Sequence, residues 1–323
     1  MSSISVIIPA YNAEKFIAEA IESVLTQTRP AKEIIVVDDA SGDGTVARAR
    51  ACSPVVRVVE NAENRGVGAR RNQGVQMAQG EFVAFLDADD KWAPDHLAHL
   101  GALLDRHESA GLAFSQVRIF HESTGIWPCS VSAYLEPNNA FFDMMRNVLC
   151  LPSSCMVRRR VHEAIGGFDE SAHWRAGRRI QAEDTDYLIR ASRIAKFVAS
   201  PEPSVWYRWH ANQASVLRGH QMVLSFAYRV KILNELRNES VAAPDLTHAQ
   251  HCVLRCWEEH IDEAWATRNM SFLRAMVRYG LGVPLFRCAT LAYVWRACLP
   301  DAAVRSLMAW NLMQPPVIVG PQR

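Results

Sequence analysis

The sequence contains no uncharged apolar run that approaches the roughly 20 residues needed to cross a bilayer. Its eight cysteines include no Cys-x-x-Cys pair and no second pair at metal-ligand spacing, so we interpret them as reduced thiols. No basic-then-apolar leader precedes the first predicted strand. With 35 basic and 34 acidic residues, the net charge of +1 gives no reason to expect nucleic acid as a partner. These absences together predict a cytoplasmic protein.

Two familiar nucleotide-binding loops are missing as well. The glycine-bearing loop at residues 65–68 is not followed by Gly-Lys-Ser or Gly-Lys-Thr, which excludes a phosphate-binding loop of the Walker type. The first predicted strand is not followed by Gly-x-Gly-x-x-Gly, which excludes the dinucleotide fingerprint. Any bound nucleotide must therefore be held by other groups.

What the sequence does contain is a regular alternation of apolar strands with helical patterns. Short apolar runs that predict strands lie at residues 4–8, 33–37, 55–59 and 81–86. The alternation predicts an α/β fold with a doubly wound, mostly parallel sheet flanked by helices. From about residue 217 the pattern changes to helices alone. We therefore expect a first domain at residues 1–215 and an α-helical C-terminal extension at residues 216–323.

Three segments after the fourth strand are harder to assign. Residues 125–139 contain two prolines and an Asn-Asn pair, and we expect a loop there. Residues 173–179, which carry Trp174 and three arginines, are typical of a surface loop. Residues 197–199 predict a short strand.

The most informative stretch is the strand at residues 81–86 with the acidic turn that follows it. Asp87, Asp89 and Asp90 place three carboxylates within four positions at the end of an apolar run. Side chains two residues apart can share one hard cation, and ligands of open α/β sheets bind at the carboxyl ends of strands. The position therefore suits a metal ion that holds a phosphate, with a solvated acidic turn as the alternative. We interpret Asp90 as a cap of the helix near residues 92–94 rather than as a third ligand.

Further motifs follow in an order that resembles glycosyltransferase family 2, a family with the GT-A fold. The motifs lie at residues 6–12, 35–45, 64–68, 71–72, 80–90, 166–169, 183–184 and 207–210. Each motif alone is weak, but their joint order and spacing are specific, and together they span about two-thirds of the chain. The resemblance implies transfer of a sugar, with inversion, from a nucleoside-diphosphate sugar to an acceptor hydroxyl. It also implies a role in surface polysaccharide or lipid-linked glycan synthesis.

The resemblance assigns residues to the donor site. It implies that Pro9, Tyr11 and Asp39 line a pocket for the base and ribose. Arg71 is expected to approach the donor sugar or a phosphate. Asp87 is expected near the ribose or a metal-bound water.

The resemblance also implies a divalent cation, Mn²⁺ or Mg²⁺, because both favour oxygen ligands. Asp89 is the surer metal ligand and Asp87 the second, while His210 is expected near the metal or diphosphate, with a packed histidine as an equal alternative. Asp184 would be the general base, since a hydroxyl becomes a good nucleophile when a carboxylate takes its proton. Glu183 is expected to orient its neighbours or to contact the acceptor.

Two other functions fit part of the pattern. A metal-dependent phosphohydrolase would use Asp87 as its nucleophile, but Lys91 stands where that chemistry usually has threonine or valine. A non-catalytic scaffold that binds sugar nucleotides would keep the donor pocket without turnover. The presence of Asp184 together with the Asp-x-Asp pair argues against the scaffold.

The predicted C-terminal extension has a basic segment. Between residues 268 and 305 there are six arginines and one acid, Asp301. An apolar helical face beside two of these arginines is formed by Phe272, Leu273, Met276 and Val277. A basic amphipathic helix can lie on an anionic membrane surface, which would place the protein at the inner face of the membrane. A helical lid or a homodimer contact is the alternative.

Overall fold

The structure is a computed structural model that describes residues 1–121, 125–127, 140–146, 150–171, 173–175, 178–180, 182–210, 218–239, 241–266, 269–283 and 285–286. The strands are β1 (Ile4–Ala10), β2 (Glu33–Asp38), β3 (Val56–Val59), β4 (Phe82–Phe85), β5 (Lys91–Trp92), β6 (Ala110–His121), β7 (Gly125–Trp127), β8 (Cys155–Arg158), β9 (His173–Arg175), β10 (Arg178–Ile180) and β11 (Lys196–Trp209). The helices are α1 (Ile17–Leu25), α2 (Thr45–Cys52), α3 (Val67–Met77), α4 (His96–Arg106), α5 (Ala140–Arg146), α6 (Arg159–Ala164), α7 (Glu183–Ile194), α8 (Arg218–Asn238), α9 (Ala243–Ala266) and α10 (Met270–Gly282).

In the described part of the chain, nine strands form one sheet in the order β3-β2-β1-β4-β8-β6-β11-β5, with β7 paired to β6. Strand β1 is parallel to β2 and β4, β2 is parallel to β3, and β6 is parallel to β11. Strand β8 runs antiparallel between β4 and β6. Most of the paired length is parallel and helices such as α3 and α4 pack on the sheet, which confirms the predicted α/β fold.

The central strands form because their residues are apolar and buried on both faces of the sheet. All residues of β1 and of β4 are buried. Helix α3 approaches β1 closely at Gly74, where a Cβ atom would lie 2.3 Å from Cγ2 of Ile7. Glycine at this position allows the helix that carries Arg70 and Arg71 to lie directly against the sheet.

Strand β11 is longer than the sequence predicts. The pattern indicates a short strand at residues 197–199, whereas the structure has a continuous strand over Lys196–Trp209. Its pairing with β6 shifts register between Ser200 and Pro203 and again between Pro203 and Val205. Proline lacks the N–H that a sheet requires, so a proline in the sequence predicts the end of a strand. In the structure the strand continues beyond the prolines because its register shifts there.

Two segments predicted as loops contain strands, and the loop predictions are wrong there. Within residues 173–179, β9 pairs antiparallel with β10, with Arg179 opposite Trp174. Gly125–Trp127 forms β7 along β6, while residues 128–139 lie outside the described residues. Strands of three residues are too short for a periodic signal in the sequence.

The chain divides into two compact units, one of Met1–Met144 with Val148–Val216 and the other of Met145–Asn147 with Leu217–Arg323. The second unit contains the helices α8, α9 and α10. Its interior holds an aromatic cluster in which Trp257 stacks on Phe286 at a centroid distance of 4.4 Å. Among the residues that the structure describes, no helix combines the length and apolar content needed to span a bilayer.

Three apolar residues of helix α10 are buried. Leu273, Met276 and Val277 are buried where α10 packs on α8 and α9. These residues belong to the face that the sequence offers for membrane contact, so the unit's own helices cover that part of it. The arginines at positions 268, 287, 296 and 305 lie outside the described residues.

Candidate active site

Candidate residues from three parallel strands meet at one edge of the sheet. Strand β1 pairs with β2 and β4, which places Ala10 opposite Asp38 and Ile7 opposite Phe85. Asp39 and Asp87 therefore follow their strands at the carboxyl edge, where ligands of such sheets bind. Tyr11 follows β1 at the same edge and is 54% exposed.

Asp39 organises the loop that follows β3. Its Oδ1 accepts hydrogen bonds from the Arg65 backbone N–H (2.8 Å) and from Arg70 Nε (2.6 Å). Its Oδ2 accepts one from the Gly66 N–H (2.8 Å), and Gly66 has a φ of 90°, which L side chains rarely adopt. Asp39 is 4% exposed, and one lone pair of Oδ2 is not used by these bonds. Its contact with a base stays a prediction.

The loop after β1 is fastened to the loop after β2. The Asn12 N–H donates to Ser41 Oγ (2.9 Å), and Asn12 Oδ1 accepts from the Gly42 N–H (2.9 Å). Asn12 has a φ of 49°, a left-handed conformation that asparagine tolerates. These bonds fix the backbone next to Tyr11 while its ring stays exposed, and Pro9 is buried within β1. Base or ribose contact of either residue stays a prediction.

The acidic turn after β4 meets the end of β11. Asp89 Oδ2 lies 3.0 Å from His210 Nε2, and the His210 ring packs against Phe16 at a centroid distance of 4.8 Å. Arg208 Nε donates to the Asp89 backbone carbonyl (2.8 Å), and its guanidinium also lies 4.8 Å from the Phe16 ring. The structure thus brings together two of the residues predicted to lie at the metal.

Within the described ranges, no three His, Cys, Asp or Glu side chains are grouped as a complete metal site. Two protein ligands nevertheless suit Mg²⁺ or Mn²⁺ with a nucleotide, because such cations keep water ligands and take phosphate oxygens. Asp89 and His210 provide one oxygen and one nitrogen. Asp87, the other predicted ligand, has its Oδ1 bonded to Arg71 at 2.6 Å. Asp89 and His210 are therefore groups that could hold such a cation, with Asp87 in the same turn.

Asp90 does not cap a helix, and that prediction is wrong. Helix α4 follows Asp95 and has no side-chain cap. Asp90 is buried, with Oδ2 accepting from Ser153 Oγ (2.6 Å) and Oδ1 accepting from the Arg208 N–H (3.0 Å). Burial, together with the neighbouring carboxylates of the turn, raises the pKa of Asp90 well above its ordinary value. Asp90 therefore ties the acidic turn to two other segments of the chain.

Arg71 joins the acidic turn to helix α7. One terminal nitrogen donates to Asp87 Oδ1 and the other to Glu183 Oε1, each at 2.6 Å. The Arg71 side chain is 3% exposed, and its guanidinium lies 5.2 Å from the centroid of the Phe168 ring. Burial raises the pKa of Asp87, an effect that Arg71 opposes and the Asp89 carboxylate reinforces. Two acidic motifs that are distant in sequence are thereby held by the same guanidinium group.

Helix α7 has acidic residues at its positive end. Glu183, Asp184 and Asp186 occupy the first turn, where the helix dipole favours negative charge. Asp184 Oδ1 accepts a hydrogen bond from the Thr185 N–H (2.7 Å). Burial and the neighbouring Asp184 charge raise the pKa of Glu183 to about 7, against the lowering effect of Arg71. Asp184 also borders a small pocket whose other lining residues are Phe85, Pro152, Cys155, Phe168, Tyr187 and Leu188.

A family model described as glycosyl transferase family 2 matches residues 5–166, which is half of the chain. The chain belongs to glycosyltransferase family 2. The matched region includes Asp39, Arg71 and the acidic turn. Asp184 and His210 lie beyond it.

Named relatives of this glycosyltransferase agree with the family. The amylovoran biosynthesis glycosyltransferase AmsB of Erwinia amylovora is 30% identical over 234 residues, which cover 69% of this chain and 75% of AmsB. The succinoglycan biosynthesis protein ExoO of Rhizobium meliloti is 30% identical over 236 residues, covering 67% and 62%. The putative teichuronic acid biosynthesis glycosyltransferase TuaG of Bacillus subtilis is 44% identical over 97 residues, covering 29% and 38%. The chain thus spans less than two-thirds of the lengths of ExoO and TuaG.

Solved structures share the fold of this family 2 glycosyltransferase. TarS of S. aureus (residues 1–349), in complex with UDP-GlcNAc, superposes with a TM-score of 0.68 at 18% identity, covering 96% of this chain and 92% of TarS. The mannosyltransferase PcManGT of Pyrobaculum calidifontis, in complex with GDP-Man and Mn²⁺, gives 0.59 at 21% identity, covering 97% and 81%. These matches confirm the predicted GT-A-like fold.

Two residues that bond to the acids of the candidate site were missed by reasoning from sequence. Arg70 holds Asp39, and its only signal is its position next to Arg71 at the start of a helix. Ser153 bonds to the acidic turn from a segment that carries no motif. A lone buried serine gives no sequence signal at all, since its partners are more than 60 positions away.

Glu183 gives this glycosyltransferase a testable pH dependence of stability. Folding raises the Glu183 pKa from 4.5 to about 7, so between these values the folded state binds more protons than the unfolded state. Its contribution to stability is therefore fully present below pH 4.5 and is lost as pH rises through about 7. We expect the melting temperature to fall more steeply between pH 5 and 8 in the wild type than in Glu183→Gln, which cannot ionise. Parallel melting curves of the two proteins across this range would contradict the assignment.

Proposed function

We propose that this glycosyltransferase moves a sugar from a nucleoside-diphosphate sugar to an acceptor hydroxyl with inversion at the anomeric carbon. The observation that carries the proposal is the Arg71 bridge. It holds Asp87, on the donor side, and Glu183, the neighbour of Asp184, on a single guanidinium. Direct transfer requires a donor site and a base to be kept in fixed relative positions. A scaffold that only binds sugar nucleotides would not need the contact between Arg71 and Glu183.

The donor is proposed to bind across the carboxyl ends of β1, β2 and β4. Pro9 and Tyr11 would line the base and ribose pocket with Asp39, a role supported by the exposed Tyr11 ring and the remaining lone pair on Asp39. Arg71 Nε is buried and has no partner among the described residues, and such an unpaired donor supports a contact of Arg71 with a phosphate or donor-sugar oxygen. The complexes of TarS with UDP-GlcNAc and of PcManGT with GDP-Man support a nucleoside-diphosphate sugar as the donor class.

We propose that Asp89 and His210 are the protein ligands of Mn²⁺ or Mg²⁺, with Asp87 beside them. The Asp89 carboxylate and the His210 imidazole lie 3.0 Å apart in the acidic turn after β4 and at the end of β11, which supports this assignment. The bound cation would supply positive charge that stabilises the diphosphate leaving group. Arg208 would keep the Asp89 backbone in place through its hydrogen bond to the Asp89 carbonyl.

The chemical step requires a base at the acceptor hydroxyl. Asp184 takes the hydroxyl proton while the acceptor oxygen forms a bond to the anomeric carbon. The bond between that carbon and the diphosphate oxygen breaks, and its electron pair leaves with the nucleoside diphosphate. Attack opposite the leaving group inverts the anomeric configuration. Glu183, held by Arg71, orients the first turn of α7 and with it Asp184.

The acceptor is proposed to be a growing surface polysaccharide or a lipid-linked glycan, met in the cytoplasm at the inner face of the membrane. The names of TuaG, ExoO and AmsB, which refer to teichuronic acid, succinoglycan and amylovoran biosynthesis, support this class. Peripheral membrane contact or homodimer formation through the C-terminal helices is part of the same proposal. Since Leu273, Met276 and Val277 are buried within the C-terminal unit, such a contact would use other residues of the extension.

The test is an assay of nucleoside diphosphate release from a panel of sugar nucleotides, with Mn²⁺, Mg²⁺ or EDTA. We expect metal-dependent release from at least one donor. In Asp89→Ala the rate of release is expected to fall about 10²- to 10³-fold, because the variant lacks a proposed ligand of the cation that stabilises transition-state charge. The control is Asp95→Ala, because this exposed acid at the start of α4 pairs with His99 of the same helix (3.9 Å), and the variant is expected to keep full activity.

Two results would overturn the proposal. Tight binding of a sugar nucleotide without release, with any polysaccharide or lipid-linked acceptor, would favour the scaffold. Phosphate release from simple phosphomonoesters, without need of a sugar nucleotide, would favour the phosphohydrolase that uses Asp87 as nucleophile.

A further inference from the structure

Ser153 lies outside every motif of the site, yet it bonds to both ends of the acidic turn. Its Oγ accepts a hydrogen bond from the Asp87 N–H (3.1 Å) and donates one to Asp90 Oδ2 (2.6 Å). Its backbone carbonyl accepts a hydrogen bond from Trp92 Nε1 (2.7 Å). Ser153 is 0% exposed and belongs to the short 3-10 turn Pro152–Ser154, which leads into β8. A single residue from another segment therefore spans the whole turn.

The donor and acceptor groups define these bonds. The Asp87 N–H is only a donor, so Ser153 Oγ accepts from it, and the one proton of the hydroxyl is left to donate to Asp90 Oδ2. Asp90 Oδ1 accepts from the Arg208 N–H (3.0 Å), which extends the chain of bonds to β11. Arg208 returns to the turn by donating Nε to the Asp89 carbonyl (2.8 Å). The turn is thus enclosed by one continuous set of hydrogen bonds.

We propose that Ser153 is a positioning residue that holds the backbone from Asp87 to Asp90 so that the Asp89 side chain faces His210. The inference rests on the proposed function, in which Asp89 and His210 bind the cation. Within the turn itself, the Asp90 N–H donates to the Asp87 carbonyl (3.0 Å), and Ser153 adds the bonds that fix its two ends. Groups that orient metal ligands from outside typically matter about 10- to 100-fold for metal affinity.

The test compares Ser153→Ala with Ser154→Ala. Ser154 is the next residue of the same turn, is equally buried, and donates its hydroxyl to the Leu151 carbonyl (2.8 Å) rather than to the acidic turn. Mn²⁺ binding is measured by electron paramagnetic resonance of free Mn²⁺ in the presence of UDP or GDP. We expect Ser153→Ala to weaken binding about 10- to 100-fold and Ser154→Ala to change it by less than about twofold.

Hydrogen exchange supplies a second readout that needs no ligand. The peptide covering residues 86–92 is expected to exchange faster in Ser153→Ala than in the wild type or Ser154→Ala, because the Asp87 N–H loses its acceptor. Unchanged exchange of this peptide would overturn the inference, as would equal Mn²⁺ affinity of the two alanine variants. If this peptide exchanges faster in Ser153→Ala but the wild type does not bind Mn²⁺, the metal-dependent function is overturned, while the positioning of the turn by Ser153 stands.

Asp90→Asn changes the other partner of the Ser153–Asp90 hydrogen bond and takes the place of Ser153→Ala in the test if that variant does not fold. An amide presents one acceptor and one donor group. If its oxygen faces the Arg208 N–H, its NH₂ faces Ser153 Oγ, which then accepts instead of donating, and the Ser153 hydroxyl proton loses its acceptor. If both single variants fold, the double variant Ser153→Ala/Asp90→Asn is expected to bind Mn²⁺ within about twofold of the weaker-binding single variant, because both changes act on one hydrogen bond. Fully additive losses would show two separate roles and overturn the inference.

Discussion

Replacing Asp184 by asparagine is expected to lower the turnover number about 10²- to 10⁴-fold, because an amide cannot take the acceptor proton. The substitution keeps the size of the side chain and the oxygen that accepts from the Thr185 N–H, so α7 should start as before. The donor KM should change little, since the base acts on the acceptor. Steady-state release of nucleoside diphosphate with a saturating acceptor measures both constants.

The control for this prediction is the melting temperature together with Asp95→Asn, which removes an exposed carboxylate at the start of α4. Both variants should melt as the wild type does, and Asp95→Asn should keep full turnover. If Asp184→Asn retained more than about a tenth of the wild-type turnover number, Asp184 would not be the base, and Glu183 with its pKa of about 7 would be the next residue to replace.

The positions of Asp39 and Asp87 could be predicted because each residue follows an apolar strand. Parallel strands end at the same edge of a sheet, so Asp39 after β2 and Asp87 after β4 had to lie near one another. No periodic pattern brings His210 to Asp89, because β11 reaches this edge only after passing two prolines. That meeting was implied by the family motifs rather than by the spacing of residues.

The bonds that hold the acids could not be predicted, since they join residues through the tertiary fold. The local rule that an acid after a strand caps the next helix fails for Asp90 because Ser153 and Arg208 bind its two oxygens. Asp39 likewise is enclosed by Arg70 and by backbone N–H groups of a loop with a positive-φ glycine. A sequence pattern records which face of an element is buried, but it does not record which buried polar groups meet.

Replacing Arg71 by methionine is expected to lower the free energy of unfolding by about 3 kcal/mol and to abolish transfer. Removing one partner of a buried ion pair typically costs about 3–5 kcal/mol, because the remaining charge is left without compensation. Here Glu183 stays buried but can take up a proton, since its pKa of about 7 already includes the lowering effect of Arg71, and the Asp87 side chain is 30% exposed and recovers some hydration. Both effects place the expected loss at the lower end. Chemical denaturation and release assays at equal folded concentration measure the two effects separately.

The conservative variant Arg71→Lys separates charge from geometry. An ammonium group is a compact point charge and cannot reach two carboxylates as the planar guanidinium does. We expect most of the stability to be kept but kcat/KM to fall about 10²-fold, the size of effect that a displacement of about 1 Å produces in a catalytic site. The matched control is Arg29→Lys, which alters the Arg29–Asp105 pair (3.0 Å) near Ser2, at the opposite end of β1, and should leave turnover unchanged.

The double variant Arg71→Met/Glu183→Gln tests whether the bridge itself is the cause. Replacing Glu183 together with Arg71 takes away the buried carboxyl group that Arg71→Met leaves without its partner, so part of the lost stability should return relative to Arg71→Met alone. Activity should not return, because Asp87 and the first turn of α7 are then no longer held on one group. A double variant that regained turnover, or an Arg71→Met protein as stable as the wild type, would show that the two acidic motifs are positioned independently.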